Sequence, residues 1–163
     1  SGEYSRMLSE LTEDHNRNTL IVNDVIREAR TAGGVCLVLS DRKNHVEALA
    51  GMLKRAGVPA EILHGGMSTK ARKEVVAALK EGNARVLCAT GQLIGEGFDC
   101  PALSTLFITT PIKFDGRLLQ YLGRILRPDH EKDRARVYDY EDCCVGVLAN
   151  AARARRRVYA KAA

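Results

Sequence analysis

No stretch of the sequence is apolar for long enough to cross a membrane, and nothing at its start reads as a signal peptide. A membrane-spanning or secreted reading is set aside on that ground. Cysteine is scarce and odd in number: five residues, none at the spacing of a zinc site. Cys36, Cys88 and Cys100 lie in or beside strand-like segments, and Cys143 and Cys144 are adjacent. They read as reduced, mostly buried thiols of a cytoplasmic protein, with no metal site expected. The glycine-rich phosphate cradle G-x-x-x-x-G-K followed by Ser or Thr is missing, and no Asp-Glu pair follows a strand. Without those groups the chain has no means of its own to hold a nucleoside triphosphate and magnesium tightly.

What is present fits one compact domain. The 163 residues are 45% hydrophobic and 28% charged, a composition that can bury an ample core. Net charge is +5 and unevenly placed. Residues 1–112 carry 13 Lys/Arg and 13 Asp/Glu, whereas residues 113–163 carry 12 and 7. A locally basic C-terminal part suits a polyanion, although a solvated helix face would look the same.

Residues 3–12 and 15–32 read as two helices flanking the core, and Gly33-Gly34 stop the second. From Val35 a regular alternation begins. Val35–Leu39 is a continuous apolar run, as in a strand buried on both faces. A helix from about Lys43 to Ala56 comes next, with Val46, Leu49, Ala50 and Leu53 on one side. Ala60–Leu63 is a second strand. Ser68 can cap the next helix, which runs to about Glu81. Further strands are expected at 85–89, 103–110 and 135–140, and a last helix from near Cys144 ends in Arg153, Arg155, Arg156 and Arg157. That crowded, thinly apolar end suits a salt-sensitive contact to DNA, and equally a solvated helix end leading into another segment. Strands alternating with helices predict an α/β fold, a mainly parallel sheet covered on both faces by right-handed crossovers. The expected organisation is a single domain with flanking helices at 1–32, a core at 33–142 and a basic helix at 143–163, cut from a larger protein.

The unusual polar residues share an address. Ser40, His64, Thr90 and Pro111 each stand at the carboxyl end of a strand, the edge where open α/β sheets bind ligands. Backbone amides and hydroxyls there suit phosphate oxygens. Ser40 could equally be a helix cap, His64 a turn residue holding its own backbone, and the loop glycines simple turn formers. Near the C-terminal third, Gln120-Tyr121-Leu122-Gly123-Arg124-Ile125-Leu126-Arg127-Pro128 sets two arginines three apart on one helix face, with proline directly after the second. Phosphate-friendly rims and an arginine pair, without a cradle, suggest half of a two-part site. An arginine reaching across a cleft can stabilise phosphoryl-transfer charge, worth roughly 10³–10⁵ in rate.

Taken together, these segments resemble the second RecA-like domain of superfamily 2 helicases and translocases, over about residues 15–142. Val35–Leu49 is similar to motif IV, His64–Ser68 to the block between motifs IV and V, Ala89–Pro101 to motif V, and Gln120–Arg127 to motif VI, Q-x-x-G-R-x-x-R. The resemblance implies that Arg124 and Arg127 reach the γ-phosphate of ATP, which with its Mg²⁺ is held mainly by a first RecA-like domain, with Arg127 the better placed as the finger. It implies that Gln120 reports that phosphate, and that Gly97 and Asp99 sit by the ribose and the cleft. Ser40, the His64-Gly65 turn and Thr90 would contact the nucleic-acid backbone. DEAD-box RNA helicases end motif VI differently, in Arg-x-Gly-Arg after His-Arg. Gln120-Tyr121, Ile125-Leu126 and Pro128 look more like the DNA-directed branches, such as XPB-like helicases and type I and III restriction motors. The function so implied is that of a DNA helicase or translocase domain. An RNA helicase domain, or a non-catalytic nucleic-acid-binding domain of the same fold, would be the alternatives.

Overall fold

A computed structural model describes residues 2–31, 33–91, 102–111, 123, 136–142, 153, 155–157 and 159–160. Its elements are α1 (Gly2–Glu13), α2 (His15–Thr31), β1 (Val35–Ser40), α3 (Lys43–Arg55), β2 (Ala60–Leu63), α4 (Thr69–Lys80), β3 (Val86–Thr90), β4 (Leu103–Ile108) and β5 (Arg136–Asp139). The described strands form one five-stranded parallel sheet in the order β2-β3-β1-β4-β5. This is the parallel α/β sheet that the alternation of elements predicts, in the RecA-like architecture that the motif resemblance implies.

The apolar run of β1 divides between two faces because side chains alternate along a strand. Val35, Leu37 and Leu39 pack with Val75 and Leu79 of α4. Cys36 and Val38 pack on the other face with Ile21, Val22 and Val25 of α2 and Val46, Leu49 and Leu53 of α3. The chain therefore leaves β1 toward one face and β2 toward the other. Such divergence opens a crevice at the carboxyl edge of the sheet.

Local chemistry fixes the ends of the elements. Ser68 caps α4, its hydroxyl accepting from the Ala71 amide at 3.1 Å, as its place before the helix predicts. At Gly34 a Cβ would collide with the Ser104 side chain and the Ala102 carbonyl. Glycine there lets the chain enter β1 while the Val35 amide reaches the Ala102 carbonyl at 2.8 Å. Beyond β4, Thr109 donates its hydroxyl to the Leu39 carbonyl at 2.6 Å, and Thr110 accepts from the Asp41 amide at 2.9 Å. These two threonines end the fourth strand at Ile108, short of the predicted 110.

A polar seam joins α2 to the edge strand. Glu28 is buried and accepts from Tyr138 Oη at 2.6 Å and Arg136 Nη1 at 2.8 Å. Asp24, one turn earlier, accepts from Tyr140 Oη at 2.8 Å, and Arg17 meets Asp142 through two hydrogen bonds at 3.1 and 3.2 Å. Steps along the helix match steps of two along the strand. Burial pushes the Glu28 carboxyl up, and its bonds to Tyr138 and Arg136 bring it below its ordinary value.

The basic end of the chain is less open than its composition suggests. Arg155 is only 2% exposed, and both its Nε and Nη2 bond Asp139, at 2.7 and 2.8 Å. Tyr159 Oη joins the same carboxylate at 2.8 Å, and Arg156 pairs with Glu141. The sequence alone leaves the four arginines of this end open either to a polyanion or to solvent. Asp139 and Glu141, at and just after the end of β5, take up two of them.

Candidate nucleic-acid interface

Register brings the carboxyl ends of three strands into line. Ser40 of β1 pairs with Thr90 of β3, and Leu63 of β2 with Ala89, so His64 stands one step beyond, level with Thr90. Between them lies a crevice of about 290 Å³, lined by Asp41, Lys43, His64, Gly65, Gly66, Thr90 and Gly91. Three of the four residues expected to meet a nucleic-acid backbone, His64, Gly65 and Thr90, line it together.

The His64 turn is built by its own side chain. The Gly66 amide donates to His64 Nδ1 at 3.2 Å, and the Met67 amide to the His64 carbonyl at 3.2 Å. An Nδ1 that accepts from an amide leaves the proton of the neutral ring on Nε2, which can donate elsewhere. A Cβ at Gly66 would lie 3.3 Å from two atoms of that ring, so glycine gives the imidazole room to fold over the turn. Arg72 of α4 holds the turn from below, donating Nη2 to the Gly65 carbonyl at 3.0 Å. Thr90 Oγ1 is buried and finds no hydrogen-bond partner among the described residues. An unsatisfied hydroxyl at a ligand-binding edge is a group that a bound oxygen would satisfy.

Ser40 differs from the expectation. It is fully buried, and its hydroxyl is engaged by the Arg42 amide at 3.1 Å and by His45 Nδ1 at 2.9 Å. Nor is it the cap of α3: that place falls to Arg42, with no side-chain cap bond, and the Ser40 hydroxyl closes a short turn ahead of the helix. Its neighbours Asp41 and Lys43 face the crevice instead. Sequence reasoning misses Lys43, because a lysine at the first position of a helix carries no signal of its own. The crevice thus offers one ammonium, an imidazole N–H and a hydroxyl, with one carboxylate opposite. That set can grip a phosphodiester through hydrogen bonds more than through net charge. Among the described residues no three His, Cys, Asp or Glu side chains gather as metal ligands, and no helix is long and apolar enough to cross a membrane.

Gly97, Asp99, Gln120, Arg124 and Arg127 lie outside the described residues. Only Gly123 of the motif VI stretch is described, as an exposed helical residue.

Comparison with known proteins agrees with this architecture. Residues 8–129 match the model of the helicase conserved C-terminal domain. Transcript termination protein A18 of Camelpox virus is 27% identical over 136 residues, covering 83% of this chain and 27% of that protein. UvrABC system protein B of Chlamydia trachomatis is 33% identical over 101 residues, 59% of this chain and 15% of that protein. The chain therefore spans about a quarter or less of the length of these relatives. Among solved structures, Saccharomyces cerevisiae Dbp5 bound to RNA and ADP BeF3 superposes with a TM-score of 0.65 at 22% identity, covering 85% of this chain and 35% of that one.

Proposed function

The chain belongs to the helicase conserved C-terminal domain family, and from that premise we propose that it is the second motor domain of an ATP-dependent DNA helicase or translocase. Members of the family are ATP-dependent helicases. The observation that carries the reading is the crevice where the turns after β1, β2 and β3 meet, with Thr90 Oγ1 left unsatisfied.

In this reading the chain contributes half of each of two sites. His64, Gly65 and Thr90 hold the nucleic-acid backbone, with Lys43 adding charge. Arg124 and Arg127 stabilise charge on a γ-phosphate held by a first RecA-like domain, Gln120 registers that phosphate, and Gly97 and Asp99 border the cleft. These five roles rest on the motif resemblance. ATP with Mg²⁺ supplies the phosphoryl transfer to water, and the first domain supplies most of their ligands. Arginine suits the task because its planar fork matches phosphate oxygens and stays charged. Alternate closing and opening of the two domains would step the motor along a strand. An RNA substrate is the second reading, favoured by the likeness to Dbp5 bound to RNA.

Titrating the chain alone with ATP, and separately with single-stranded DNA and RNA of one sequence, tests both. Weak ATP binding without turnover is expected, with tighter, salt-sensitive binding of DNA. Micromolar ATP affinity or turnover above buffer would overturn the half-site. Preference for RNA would select the second reading.

A further inference from the structure

Beside the crevice, buried polar groups form a continuous chain. Asn18 Nδ2 donates to the Thr12 carbonyl at 2.9 Å. Asn18 Oδ1 lies 2.8 Å from His45 Nε2, and His45 Nδ1 lies 2.9 Å from Ser40 Oγ. Ser40 Oγ in turn accepts from the Arg42 amide at 3.1 Å. Asn18, His45 and Ser40 are all buried.

The protons have one consistent arrangement. A carbonyl only accepts, so Asn18 turns its amide nitrogen to Thr12 and its oxygen to His45. That oxygen also only accepts, so Nε2 carries the imidazole proton. In the neutral ring Nδ1 must then accept, and the Ser40 hydroxyl donates to it. The Ser40 oxygen keeps a lone pair for the Arg42 amide. The Ser40 link takes this direction only with the neutral ring; a protonated ring would donate at both nitrogens, and Ser40 Oγ would have to accept from Nδ1 as well as from the Arg42 amide. Burial, and after it the positive charge of Arg17, keep the ring neutral. Arg17 is itself paired with Asp142.

We propose that His45 is a positioning residue for the nucleic-acid rim, through which the α1–α2 helix pair holds the turn that presents Asp41 and Lys43 to the crevice. The proposal rests on the reading of the crevice as the backbone contact. The turn is held at three points: by Thr110, beyond β4, on the Asp41 amide; from α1, where Arg42 Nη2 donates to the Ser5 carbonyl and hydroxyl at 3.2 and 3.0 Å; and from beneath by Ser40. The far end of the chain falls on Thr12, in the last turn of α1, whose carbonyls lack helical partners. Asn18 satisfies one of them. The same bond that ends α1 therefore orients the imidazole that sets the rim. Displacing α1 would unlock Asn18, free His45 to turn and release the Arg42 amide, so segments joined to α1 gain a mechanical route to the grip on nucleic acid.

The test compares oligonucleotide affinity with thermal stability. Asn18→Ala and His45→Gln interrupt the chain, whereas Val22→Ala weakens the same helix's packing without touching it. Binding of a labelled single-stranded oligonucleotide is expected to weaken by about three- to tenfold in the two interrupted variants, the equivalent of one neutral hydrogen bond. In Val22→Ala it should stay within about twofold at a comparable drop in Tm. Interrupted variants that bind as tightly as Val22→Ala overturn the proposal. Thr90→Ala and Lys43→Ala check the underlying reading separately. If neither weakens binding, the crevice is not the contact, and the proposal falls with it for that distinct reason. Should an interrupted variant fail to fold, the wild-type protein decides. Its Arg42 amide and His45 ring-nitrogen NMR signals are expected to shift on adding oligonucleotide, and unmoved signals overturn the proposal.

Discussion

A buried serine and a buried histidine mark the place where single residues differ most from their appearance in the sequence. Ser40 is legible as a strand-end residue, yet its depth is not, since burial depends on how α2 and α3 cover β1. His45 does leave a trace. It stands four and eight residues before Leu49 and Leu53, on the apolar side of α3, where a polar residue must find partners. The consequence is measurable. Burial and Arg17 hold its imidazole down at about 4, against 6.5 for a free one. Below 6.5 the unfolded chain takes up a proton that the folded chain refuses. This part of the stability is complete above pH 6.5 and is lost as pH falls from 6.5 to 4. At most it amounts to about 3 kcal/mol, or roughly 6–12 °C in Tm for a chain of this size. Calorimetry at pH 7 and pH 4.5 should show a larger fall for the wild type than for His45→Gln, which has no proton to bind. Equal falls would mean that His45 is not held neutral.

At the scale of elements, apolar periodicity carries nearly everything. The helix read as about 43–56 is Lys43–Arg55, and the strand read as 85–89 is Val86–Thr90. What periodicity leaves out is how elements latch together, because charged residues on α2 look solvated until a partner strand is known. Asp24 and Glu28 are four apart, and so face the same side of the helix. Only β5 gives that side a meaning. Glu28→Ala would leave Tyr138 and Arg136 without their acceptor, costing about 1–3 kcal/mol. Glu28→Gln, which still accepts from Tyr138, should cost less. Urea unfolding of the two variants orders them, and equal midpoints would contradict the latch. The arginines of the C-terminal part teach the converse. Composition reveals a positive surplus, but Asp139 and Glu141, separated from Arg155 and Arg156 by 16 and 15 residues, have to be folded back onto them before the pairing can be seen.

For the molecule as a whole, the parallel sheet follows from the alternation of elements and the family from motifs spread along the chain, whereas the strand order is seen only in the structure; the crevice gathers three of the residues those motifs single out. In the proposed function the nucleotide half rests on Arg124 and Arg127, whose identities are plain in the sequence and which lie outside the described residues. Their assignment rests on the resemblance of Gln120–Arg127 to motif VI. The most direct test is nucleic-acid-stimulated ATP turnover in the longer protein proposed to join this chain to a first RecA-like domain, with and without Arg127→Ala. Loss of the finger is expected to lower kcat by roughly 10³-fold or more, with ATP affinity and oligonucleotide binding nearly unchanged. Near-normal stimulated turnover in Arg127→Ala would contradict the two-part site and return the arginine pair to the role of solvated residues on a helix.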